Sequence, residues 1–110
     1  MTLLFCSCFV IQRFNGGPGC SSLDGFFYEH GPFEINSSKD PTLTLREYRW
    51  NRIVNMLYIE APVGVGFSYS STGDYNCADD RTADENRAAV EYFYSQYPEY
   101  KNNKLFITGK

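Results

Sequence analysis

The sequence predicts an α/β fold, a mixed sheet with a crossover helix, and three observations carry that expectation. Residues 53–59 form a mostly apolar run rich in β-formers, as a strand covered on both faces should. The stretch that follows Thr82 places apolar residues at helical spacing. Residues 104–108 then return to a short strand pattern, and strand, helix, strand in that order suggests a parallel crossover.

The elements follow in order. The apolar residues 3–11 fall far short of the ~20 needed to span a bilayer. They imitate a signal peptide, but they lack a basic leading region and run into a glycine-rich loop with no room for cleavage. Residues 8–14 are therefore read as a strand feeding that loop, Asn15-Gly16-Gly17-Pro18-Gly19-Cys20-Ser21-Ser22. Glycine lets backbone pass close to a ligand or adopt positive φ, and proline fixes the turn. A turn of this composition can be a plain connection. It can also be a place where backbone N–H groups point at a ligand. It is not a nucleotide loop, because no Gly-Lys-Ser/Thr follows and the G-x-G-x-x-G spacing is absent.

Residues 33–36 and 42–45 suit a hairpin, with Leu43 and Leu45 on one face and residues 37–41 as its loop. Pro62 ends the strand after it, residues 63–69 leave as a glycine-containing loop, and residues 70–80 are polar and exposed in character. Thr82-Ala83-Asp84-Glu85 has the form of a capping box, which would start a helix at Thr82. Ala83, Val90, Phe93 or Tyr94, and Tyr97 share one stripe of that helix and are read as core, and Pro98 stops it.

Composition narrows the function. A net charge of −3 with scattered Lys and Arg leaves no basic stripe to neutralise phosphates, which argues against nucleic acid. The four cysteines and the single His30 show no paired ligand spacing, so no metal is expected, and nothing calls for a cofactor. Cys6 and Cys8 lie two apart on one strand face, poorly placed for a mutual disulfide. Asn36-Ser37-Ser38 fits a glycosylation sequon and leans towards a secretory route.

The octapeptide 15–22 resembles the signature of the serine carboxypeptidases, α/β-hydrolases that remove C-terminal residues from peptides. The resemblance continues through Glu29-His30-Gly31-Pro32-Phe33, Trp50-Asn51, Ala61-Pro62-Val63-Gly64-Val65-Gly66-Phe67-Ser68-Tyr69-Ser70 and Phe106-Ile107-Thr108-Gly109. It looks most like the family's lysosomal branch around residues 98–106. The resemblance implies that residues 1–110 are an N-terminal portion of an α/β-hydrolase domain, with an atypical stretch at residues 1–9. The family reads Trp-Leu-Asn where this chain has Arg13-Phe14-Asn15.

It also implies site roles. The Asn15 amide and Gly16 N–H would hold the substrate's terminal carboxylate, and the Gly17 N–H would be one of two oxyanion donors. Glu29 would face the same carboxylate as a protonated acid, since two ionised carboxylates repel, so binding would favour acidic conditions. Asp24 and Tyr28 are candidates for the wall around the departing side chain. Cys20 would pair with a cysteine later in the family's sequence, while His30 would be structural or a rim residue. Gly109 resembles the first glycine of the G-x-S-x-G elbow, and Lys110 stands where the family has Glu. The nucleophile would be the next residue, with the catalytic Asp and His later still, and none of Ser21, Ser22, Ser68, Ser70 or Ser71 has elbow context. The 110-residue chain alone is thus expected to be catalytically incomplete. Partners would be peptide or protein C-termini, and the setting lysosomal, vacuolar or extracellular. A non-catalytic binding piece and an acyltransferase relative remain the alternatives.

Overall fold

The computed structural model describes residues 8–17, 19–36, 39 and 41–109. Expectations that fall on Cys6, Pro18, Ser37, Ser38 and Lys110 lie outside the described residues. Strand β1 (Phe9–Phe14) runs at the centre of a three-stranded parallel sheet, between β4 (Asn55–Tyr58) and β5 (Lys104–Gly109). The register sets Ile11 against Met56 and Phe106, and Arg13 against Tyr58 and Thr108. A central strand is covered from both edges, and Val10 and Gln12 are accordingly almost wholly buried. Strands β2 (Phe33–Ile35) and β3 (Leu43–Leu45) form the expected antiparallel hairpin, pairing Phe33 with Leu45 and Ile35 with Leu43.

Helix α1 (Asp79–Gln96) connects β4 to β5, so the predicted crossover is present. Its start differs from the sequence expectation. The capping box at Thr82 and Glu85 does not form: the helix begins at Asp79, and the Thr82 N–H already donates to the Ala78 carbonyl at 2.9 Å. Asp79 and Asp80 sit in the first turn, where acidic side chains suit the positive end of the helix dipole. Arg81 fixes the approach by donating to Asp74 Oδ2 at 2.7 Å and to the Asn76 carbonyl at 2.8 Å. Glu85, expected to reach back to the helix start, instead accepts from Arg81 Nε at 2.7 Å. At the other end Pro98 opens a separate 3₁₀ turn (Pro98–Tyr100), as its missing N–H requires.

Two burial expectations also need correction. The run at residues 53–59 is a strand only from Asn55 to Tyr58, and its side chains are half-buried rather than covered on both faces. The Ile53 N–H is taken by Trp50 in a 3₁₀ turn (Trp50–Arg52), and β4 has a strand neighbour on one side only among the described residues. On α1, Val90, Phe93 and Tyr94 are half-buried and Ala83 is exposed, and Tyr97, just past the helix end, is exposed as well. A cavity of about 700 Å³ separates the helix from the sheet, lined by Gln12, Phe14, Val90, Tyr94, Leu105 and Ile107. Among the described residues Val10 is the one fully buried hydrophobic side chain. No helix among them is long and apolar enough to cross a membrane.

Candidate substrate-carboxylate site

Ligands of open α/β sheets collect beyond the carboxyl ends of the strands, and the glycine loop leaves β1 at that end. Gly19 has φ of 99°, a left-handed conformation that a side chain would strain. Asn15, the first loop residue, is buried, and its backbone N–H reaches Ser22 Oγ at 3.5 Å across the loop. Gly25 lies directly beneath it: a Cβ there would come within 2.6 Å of Asn15 Oδ1. Gly17 is exposed and Gly16 half-buried.

A π-helical turn (Gly25–Glu29) brings the acidic residue back under the loop. Asn15 Nδ2 donates to Glu29 Oε1 at 3.5 Å, so two residues singled out in the sequence meet in space. Arg13, two positions earlier on β1, approaches the other carboxylate oxygen at 3.5 Å. Arg13 Nε also donates to His30 Nε2 at 3.2 Å. With Nε2 accepting, the hydrogen-bond network assigns the ring proton to Nδ1, which lies 2.9 Å from the Tyr58 hydroxyl. The His30 ring stacks on Trp50 at 4.5 Å and on Tyr58 at 5.7 Å between centroids. Burial first, and then the Arg13 charge, hold His30 below the usual histidine range despite the opposing pull of Glu29. His30 Nε2 also lies 3.5 Å from Glu29 Oε2, a contact that becomes an ion pair only when the ring is protonated. Burial pushes the Tyr58 phenol up to about 12, so it stays a neutral hydrogen-bonding group.

A second clamp joins the loop to the segment after β4. Ser21 Oγ donates to Glu60 Oε1, the Phe67 N–H donates to Glu60 Oε2 at 2.6 Å, and Ser68 Oγ donates to the Glu60 carbonyl at 2.6 Å. The Ala61–Pro62 peptide between these elements is cis.

The remaining sequence candidates lie further out. Asp24 is exposed at the head of the π turn, and Tyr28 is 65% exposed. Cys20 is an exposed free thiol. Asn36 is exposed and donates to Thr44 Oγ1 at 2.9 Å. His30, read as a structural or rim residue, is buried. Arg13, Tyr58, Trp50 and Glu60 were not singled out for the site. Two long polar side chains, Gln12 and Arg13, inside a strand that is otherwise apolar were a usable signal for Arg13. Tyr58 depends on the β1–β4 register, which no local motif fixes.

Comparison with known proteins places this geometry in context. A serine carboxypeptidase family profile matches residues 10–110. The mouse lysosomal protective protein is 52% identical over 101 residues, covering 92% of this chain and 21% of that protein. Serine carboxypeptidase-like 20 of Arabidopsis thaliana is 44% identical over 106 residues, with the same two coverages of 92% and 21%. A crystal structure of a prohormone-processing carboxypeptidase from Saccharomyces cerevisiae superposes with a TM-score of 0.77 at 32% identity, covering 92% of this chain and 22% of that one. The chain thus spans about a fifth of the length of the relatives it matches.

Proposed function

This chain belongs to the serine carboxypeptidase family, and from that premise we propose that it forms the carboxylate-receiving part of a serine-type carboxypeptidase. The observation that carries the proposal is the meeting of Asn15 and Glu29 beneath the glycine loop at the end of β1. A peptidase that cuts one residue from a C-terminus must recognise a free carboxylate and must stabilise an oxyanion one peptide unit away. The Asn15 amide and the Gly16 N–H serve the first task. The Gly17 N–H serves the second, and losing one such donor typically costs about 2.7–4 kcal/mol of transition-state stabilisation. Asp24 and Tyr28 border the space for the departing side chain.

The acid-base chemistry belongs elsewhere. Among the described residues, the His30 ring nitrogens are held by Arg13 and Tyr58, and no serine bonds to them. A histidine kept neutral by burial and bonded at both nitrogens orients its neighbours and does not relay protons. Substrates of the complete protein are peptide or protein C-termini, and its setting is the secretory route, lysosomal, vacuolar or extracellular. Cys20 fits an oxidising compartment if it pairs with a later cysteine, and Asn36 is exposed as an acceptor of glycan must be.

The test is a binding titration on the 110-residue protein, read by the fluorescence of its single tryptophan, Trp50, which stacks on His30. An N-blocked dipeptide with a free carboxylate should bind about tenfold more tightly than its C-terminal amide, and Asn15→Ala should remove most of that difference. Equal binding of acid and amide contradicts the assignment.

A further inference from the structure

Resting on the carboxylate-site reading above, we propose that Glu60 is a positioning residue for the glycine loop: its side chain latches Ser21 to the exit of β4, and that latch sets the aim of the Asn15 amide and the Gly16 N–H.

The loop has two limbs. The ingoing limb leaves β1 at Asn15, and the outgoing limb ends at Ser21 and Ser22. These two serines form a fork at which three parts of the fold meet. The Asn15 N–H reaches Ser22 Oγ at 3.5 Å, which ties the limbs to each other. The Asp24 N–H donates to the Ser21 carbonyl at 3.0 Å and the Phe26 N–H to the Ser22 carbonyl at 3.3 Å, which leads into the turn that carries Glu29. The Ser21 hydroxyl accepts from the Leu23 N–H at 3.2 Å and donates outward to Glu60 Oε1. Ser22 is almost wholly buried, so a displacement of Ser21 is passed on to Asn15.

Glu60 is itself held in place. It lies two residues beyond β4, the strand that pairs with β1. Its Oε2 accepts from the Phe67 N–H at 2.6 Å, and its carbonyl accepts from Ser68 Oγ at 2.6 Å. Gly66 makes room for it: φ there is 56°, and a Cβ would collide with the Glu60 carboxylate. The loop is thus anchored to two neighbouring parallel strands, which lie about 4.7–4.9 Å apart. One limb is continuous with β1, and the other reaches the end of β4 through Ser21 and Glu60. Donors aimed at a ligand work only while their support holds them to within about 0.5 Å, and the latch is that support on the outgoing limb.

The test uses the 110-residue protein and the fluorescence of Trp50, with the N-blocked dipeptide acid and its amide as probes. The readout is the ratio of the two affinities, which a loss of overall stability does not move in protein that remains folded. The wild type should prefer the acid about tenfold, and Ser21→Ala, which leaves Glu60 bonded to Phe67, should prefer it about threefold or less. Glu60→Ala breaks the latch from its other end and should lower the ratio as far. Ser21→Thr keeps the hydroxyl and should stay within about twofold of the wild-type ratio. Ser68→Ala removes a bond to the Glu60 carbonyl rather than to its carboxylate, and should leave the ratio unchanged. A wild-type ratio in Ser21→Ala or in Glu60→Ala overturns this inference alone, so either variant decides the matter if the other does not fold. An equal loss in Ser68→Ala overturns it as well, because the ratio then follows general loosening of the segment. Equal binding of acid and amide by the wild type overturns this inference together with the site reading beneath it.

Discussion

Arg13 donates to His30 across 3.2 Å, from the central strand to the end of the π turn that carries Glu29. This bond fixes the imidazole tautomer and aims Nδ1 at Tyr58, while the Arg13 terminal nitrogen and the Asn15 amide hold the Glu29 carboxylate against the base of the glycine loop. A charged residue in the middle of a sheet is costly unless it is paired, and here Nε and one terminal nitrogen of Arg13 bind His30 and Glu29 at the floor of the site.

The histidine at the centre of this network should make stability pH-dependent. Its folded-state affinity for protons is lowered, chiefly by burial. The unfolded chain then binds the proton first as pH falls through about 6.5, so stability is full above that value and declines below it until the folded form also protonates. Thermal melts from about pH 8 to about pH 5 should show a falling midpoint in the wild type and a shallower fall in His30→Gln. An unchanged slope in the variant would assign the acid sensitivity to carboxylates instead.

Removing the Tyr58 hydroxyl leaves the His30 Nδ1 proton facing a half-buried site with no acceptor. Tyr58→Phe should lose about 1–3 kcal/mol in denaturant unfolding at neutral pH. The ring packing on Phe26, with centroids at 5.4 Å, is retained in the variant, so the loss reports the hydroxyl.

Glu60 should matter for order in the loop more than for charge. Its carboxylate accepts from both Ser21 and the Phe67 N–H. Glu60→Ala strands both donors and should cost about 1–3 kcal/mol, while Glu60→Gln keeps one acceptor oxygen, enough for the Phe67 N–H, and should cost less. Hydrogen exchange at the Phe67 amide is the local measure, faster in Glu60→Ala than in Glu60→Gln.

Thr82 lies within α1 rather than at its cap. Thr82→Ala should therefore change unfolding free energy by less than about 0.5 kcal/mol, against the ~1 kcal/mol typical of a lost N-cap. Arg81→Ala should instead accelerate exchange of the amides in the first turn of α1, because it releases the contacts to Asp74 and Asn76.

These contrasts show what local sequence could and could not reveal. The β1–loop junction was legible because glycine and proline at residues 16–19 have few other uses, and the β2–β3 hairpin because its alternation is local. The helix start was misplaced because Thr82-Ala83-Asp84-Glu85 carries the capping pattern while Arg81, outside that pattern, ties the chain to Asp74 a turn earlier. Asn15 and Glu29 were recognised from the family's motif. Their partners were not, because Arg13 meets Tyr58 through a strand register and His30 meets Trp50 through a turn, and neither leaves a spacing rule in the chain. The exposed face of Leu43 and Leu45 and the open space under α1 follow from apolar patterning that the described residues do not fill.

The central claim is that the glycine loop receives a carboxylate through the Asn15 amide and the Gly16 N–H. Amide chemical-shift mapping by NMR, on the 110-residue protein titrated with the N-blocked dipeptide acid and then with its amide, tests it most directly. The account predicts the largest shifts at the Asn15 side chain and Gly16 with the acid, and much smaller ones with the amide. Shifts of equal size with both peptides, or shifts centred on the cavity under α1 at Val90 and Tyr94, would contradict it.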